Sequence, residues 1–116
     1  MYEEINIWNK YAVALGAEIC TSGKIGNWTD AHVNDKDGFY LISLGSTYQG
    51  YCIMVCSLPA KDGKVLGQDI SGLTKKVIAA VKAMADVRIS GKRAEMPQAR
   101  FNGERTMLLA DRIEFT

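Results

Sequence analysis

Residues 86–115 read DVRISGKRAEMPQARFNGERTMLLADRIEF, and this stretch decides the fold. At its start Val87 and Ile89 alternate with Arg88 and Ser90, so a strand there turns its apolar residues to one side and its polar residues to the other. At its end Ile113 and Phe115 alternate with Arg112 and Glu114 in the same way. Between them KRAEMPQARFNG holds Pro97 and Asn102-Gly103, the composition of a polar turn region. The segment therefore predicts an antiparallel pair in which the last strand closes a sheet, and Gly91 permits a tight bend where the first strand leaves it.

Working back, DISGLTKKVIAAVKAMA predicts the clearest helix, from about Asp69 to Ala85. Leu73, Val77, Ile78, Val81 and Met84 follow the spacing of a buried stripe, with Lys75, Lys76 and Lys82 outside it. Asp69 or Ser71 is placed to cap its start. PAKDGKVLGQ before it reads as a loop. FYLISLG and YCIMVCSL, joined between Gly45 and Gly50, read as an antiparallel hairpin ending at Pro59. Both faces of YCIMVCSL are apolar, as in a closed or well-covered sheet. NDKDG at 34–38 is a turn, and a first strand is expected from about Ala14 to Trp28. Ahead of it, Ile5, Trp8, Tyr11, Ala12 and Leu15 fit a short amphipathic helix, with an extended arm as the alternative.

Three β runs, one helix and two β runs make a mainly β protein. This is the element order of the OB-fold, a five-stranded Greek-key barrel with a helix between strands three and four. The pair VRISGK and FNGERTMLLADRIEF resembles the closing hairpin of OB-fold proteins, bacterial single-stranded DNA-binding proteins among them. There a V-x-V-x-G strand is followed by a variable basic loop and a strand ending in A-D/E-x-I-E/Q-F. The resemblance implies one OB-fold domain over residues 1–116 and a single-stranded nucleic acid as partner, with DNA ahead of RNA.

A surface for single strands needs cations along the phosphates and flat rings under the bases. Arg88, Lys92, Arg93 and Arg100, with Phe101 among them, supply both in the last hairpin, and Lys24 adds a cation near the first strand. Trp28, Tyr40, Tyr48 and Tyr51 are candidate stacking rings in the central strands. Alternation puts Phe39 and Tyr40 on opposite faces, so at most one belongs to the core, with Phe39 as the core candidate.

The whole-chain net charge of +1 points to no partner by itself. Its distribution is uneven, with three Lys against six acids in residues 1–60 and eleven basic residues against seven acids in 61–116. The near-neutral total leaves a protein-interaction module, a subunit or inhibitor of a larger assembly or a homo-oligomer, as the alternative. His32, the single histidine, has no partner acid or nucleophile motif, and neither SGKIGN nor GKVLGQ has phosphate-loop spacing. Cys52 and Cys56 share a strand face about 13 Å apart, too far for one metal or a disulfide. No catalytic residue, metal or cofactor is expected. Three cysteines without a secreted framework, no leader-like start and no apolar span together predict a cytoplasmic protein with no membrane contact.

Overall fold

Long alternating runs make long strands, and the computed structural model is accordingly mainly β. It describes the backbone of residues 2–33, 37–46, 52–100 and 104–115, and the side chains of 2–26, 38–45, 53–96 and 105–115. In chain order the elements are β1 (Glu3–Glu4), a 3-10 helix (Ile7–Ala12), β2 (Glu18–Val33), β3 (Asp37–Ser46), β4 (Cys52–Lys61), β5 (Lys64–Val65), β6 (Gln68–Asp69), α1 (Ile70–Ala83), β7 (Asp86–Arg100) and β8 (Glu104–Phe115). The strands form one partly closed sheet of eight, not five, because the two-residue strands β1, β5 and β6 add to its margins.

Five long strands carry the fold. β2 pairs antiparallel with β3 and with β7, β3 pairs with β4, β7 pairs with β8, and β8 runs parallel to β4. The register is staggered along this circuit. From Lys24 it leads one way through Gly45 to Ile53, near the start of β4; the other way, through Asp86 and the end of β8, it leads past Ser57 toward the far end of β4. Such a stagger accompanies tilted strands in a barrel-like sheet.

Irregularities in the ladders bend the strands. Between Ser90 and Gly91 on β7, β8 advances from Arg112 to Ala110, so Asp111 is an extra, bulged residue. Gly91 is required here for close approach, since a Cβ would sit 2.0 Å from the Leu109 carbonyl oxygen. In β2 the register shifts between Ile25 and Thr29, at the crossing from one neighbour to the other. A third shift lies between Glu95 and Arg100, where five steps on β7 face two on β8. Pro97 falls in that segment, where a missing N–H costs the ladder least. The polar turn expected over Lys92–Gly103 is therefore mostly strand, with β7 reaching Arg100.

Inward residues of all five strands share one core with the helices: Ile19 and Ile25, Tyr40, Ile42 and Leu44, Met54, Cys56 and Leu58, Val87 and Ile89, Leu108 and Ala110. From α1 the core receives Leu73, Val77 and Ala80. Val81 only packs at its margin, while Ile78 is 47% and Met84 69% exposed, so the expected stripe is narrower and stops a turn early. Met84 lies outside the stripe because it ends the helix in the left-handed conformation, φ 51°. Asp69 occupies the N-cap position without a side-chain capping bond. At the other end of the chain the expected amphipathic helix is a 3-10 helix that buries Ile7 and Lys10, and Tyr11 and Leu15 are exposed.

The expected loop after Pro59 is also more ordered. β4 runs through Pro59 to Lys61, then Asp62-Gly63 and Leu66-Gly67, all at positive φ, make two tight turns around β5 and β6. Paired left-handed residues match the twist of adjoining strands.

Candidate nucleic-acid interface

Two outer surfaces of the sheet bear on binding, and their chemistry differs. On the outward side of β2, β7 and β8, Lys24, Arg88 and Arg112 are each paired with an acid, and Lys92 is not. Lys24 donates to the Met84 carbonyl at 2.8 Å and to Asp86 at 3.0 Å. It thereby serves a free carbonyl at the negative end of α1. Arg88 donates to Glu4 at 3.0 Å and to the Cys20 sulfur at 3.0 Å. The Glu4 hydrogen bond, with the Cys20 and Glu4 charges behind it, raises the Arg88 pKa still further. Arg112 pairs with Glu114 at 3.4 Å, and Lys92 stands in register between Glu18 and Leu109. Exposed pairs of this kind are screened by water and add little stability, but each offsets a positive charge that a phosphate would otherwise meet. Lys92 is exposed, without an ion-pair partner among the described residues.

Two residues expected at the surface are interior. Arg93 is 8% exposed. The alternation that turns Val87 and Ile89 inward continues through Gly91 to Arg93, whose guanidinium donates to the Ala94 carbonyl at 3.1 Å and to the Thr106 hydroxyl at 3.2 Å, with Glu95 at 3.5 Å. Its backbone also binds the Gly16–Ala17 segment in both directions. Arg93 thus holds the barrel end together and is not available to a phosphate. Tyr40 is 3% exposed and shares its face with Ile42 and Leu44, while its hydroxyl and that of Thr74 lie 3.2 Å apart in a hydrogen bond to α1. It is the core ring of the Phe39–Tyr40 pair, the reverse of the expected assignment, and cannot stack a base.

The second surface is the outward side of β3, β4 and β8. There Leu41, Val55 and Met96 form a separate buried apolar cluster, with Phe39 and Met107 partly buried against it. Sequence showed that both faces of β4 were apolar; that Met96 of the long β7 completes the outer one was not legible, because its neighbours Leu41 and Val55 lie on strands distant along the chain. Arg105 fixes the backbone at this point, its Nε donating to the Met96 carbonyl at 3.1 Å.

Parallel pairing of Val55 with Met107 puts Cys52 and Glu104, each three residues earlier, at the same level of adjacent strands. The β3–β4 and β7–β8 connections thus leave the sheet at neighbouring strand ends. Tyr48, Tyr51 and Phe101 belong to those connections and lie outside the described residues. Trp28 and Arg100 have described backbones, Trp28 in the irregular stretch of β2 and Arg100 at the end of β7, but their side chains lie outside the described set.

One residue that pattern reading missed is Lys10, 2% exposed, whose ammonium donates to the Ile53 carbonyl and lies 4.9 Å from the centre of the Tyr11 ring. Among the described residues no helix is long and apolar enough to cross a membrane. No protein-family model matches the chain, and no curated protein is significantly similar to it.

Proposed function

We propose that the chain is an OB-fold domain that binds single-stranded nucleic acid on the outward side of β3, β4 and β8. The parallel β4–β8 pairing carries this reading. With it, the long strands follow the order β2–β3–β4–β8–β7 and return to β2, and α1 lies between the third and fourth of them in sequence, as the OB-fold requires. The same pairing sets side by side the strand ends that lead to Tyr48, Tyr51 and Phe101, three residues from Val55 and Met107 on the outward apolar face. Rings there stack bases, and Arg100 and Lys92 meet phosphates, with little readout of sequence. No catalytic step or cofactor is invoked, and the free thiols of Cys20 and Cys56 suit a reducing cytoplasm.

Tryptophan fluorescence titration with short DNA and RNA oligonucleotides, at low and moderate salt, tests this reading. The expected result is quenching that weakens as salt rises and disappears in a Trp28→Phe variant that still binds. One observation favours a second reading, contact with a protein: charges on the β2–β7–β8 side are compensated pair by pair. An absence of oligonucleotide binding even at low salt would transfer the assignment to that reading.

A further inference from the structure

Residues 61–84 carry five lysines, Lys61, Lys64, Lys75, Lys76 and Lys82, against two acids, Asp62 and Asp69. All five lysines are exposed, and among the described residues none is in an ion pair. Lys76 donates at 3.1 Å to Gln68, a neutral side chain. The β2–β7–β8 side differs, since Lys24, Arg88 and Arg112 each have an acid there. α1 itself holds three lysines and no acid.

This basic surface is also apolar in part. Leu73, Val77 and Ala80 of α1 face the core, and on its other side Ile78 stands between Lys75, three residues before it, and Lys82, four after it. Ile78 and Met84 are both exposed. Beside the helix, Pro59, Ala60 and Leu66 line an open cleft of about 610 Å³ together with Lys61, Asp62 and Lys64. Lys64 is in register with Asp69, the residue before α1, so the cleft adjoins the helix. None of these residues belongs to the outward cluster of Leu41, Val55 and Met96.

We propose that the exposed side of α1 and the adjoining cleft dock an acidic, amphipathic segment of a partner protein. Its carboxylates meet Lys75, Lys82, Lys61 and Lys64, and its apolar side chains cover Ile78 and Met84 and enter the cleft. Charge complementarity selects the acidic partner. Residues 59–85 contain no aromatic ring, so a single strand would find cations here but nothing to stack on. A phosphate backbone also gains nothing from Ile78 and Met84. A lipid surface needs a broad apolar helix face, and that of α1 is already buried in the core. The α1 of a second copy would set lysine against lysine. This docking stands beside the nucleic-acid reading and does not rest on it.

The probe is a fluorescein-labelled peptide that repeats Glu-Glu-Leu-Glu-Glu-Ala-Leu, followed by anisotropy and by amide chemical-shift mapping on the full chain. A scrambled peptide of equal composition, a thymidine oligonucleotide and phosphatidylglycerol–phosphatidylcholine vesicles serve as comparisons. The peptide should shift amides between Lys75 and Met84 and should bind whether or not the oligonucleotide is present. Lys75→Gln with Lys82→Gln should weaken it roughly three- to tenfold and flatten its salt dependence. Ile78→Ala should weaken it roughly three- to tenfold with the salt dependence unchanged, because only apolar contact is lost. Both variants should melt as the parent does. No peptide binding at low salt, or equal binding of the scrambled peptide, would overturn the docking surface. Displacement of the peptide by the oligonucleotide or the vesicles, with α1 amide shifts of their own, would overturn it too and assign these lysines to phosphates.

Discussion

Replacing Tyr40 separates a core ring from a binding ring. The side chain is 3% exposed, its ring packs in the main core, and its hydroxyl bonds Thr74 of α1 at 3.2 Å. Tyr40→Phe keeps the ring and removes one hydrogen bond, worth about 0.5–1.5 kcal/mol. Thr74 is only half-buried and can turn its hydroxyl to water, which sets the expected loss at the low end, near 0.5–1 kcal/mol. Tyr40→Ala also empties the ring's volume, for about 3–5 kcal/mol, or roughly 12–20 °C in melting temperature at this chain length. Urea and thermal unfolding measure both variants, and a cycle with Thr74→Val isolates the hydroxyl pair, whose coupling should be about 0.5–1 kcal/mol. Oligonucleotide affinity of the folded Tyr40→Phe protein should equal the parent's. A variant as stable as the parent that binds oligonucleotide more weakly would refute the core assignment.

On α1, Leu73→Ala should cost about 2–5 kcal/mol by unfolding titration, whereas Ile78→Ala, on the exposed side, should stay within about 0.5 kcal/mol. Gly91→Ala should lower the melting temperature sharply, because its methyl meets the Leu109 carbonyl backbone at 2.0 Å and neither strand can yield without breaking pairing. Arg93→Ala should lose about 1–3 kcal/mol of stability through its charged hydrogen bonds while leaving the salt slope of oligonucleotide binding unchanged. Lys92→Ala should do the opposite, leaving stability alone and reducing that slope by about one if Lys92 meets a phosphate.

Much of the architecture was legible in local pattern. Alternation in FYLISLG, YCIMVCSL, DVRIS and DRIEF located the long strands, and three-and-four spacing located α1, because side-chain direction follows from the backbone's own period. The continuation of the Val87–Ile89 alternation to Arg93 was also present in the sequence. Reading residues 92–103 as a basic loop obscured it, since proline and polar residues suit a bulged strand as well as a turn.

The site was less legible, for reasons that lie in pairing. Whether Phe39 or Tyr40 turns inward depends on which strand face meets the core, and alternation alone leaves the two equivalent. That Lys24 serves the end of α1, and Arg88 joins Glu4 and Cys20, depends on residues 60 to 84 positions apart being brought together. The sequence by itself determined the periods, the glycine positions and a charge distribution. Tertiary structure alone decided which cations were already neutralised and which ring was core, because electrostatic pairing and burial act through space between strands that are distant along the chain.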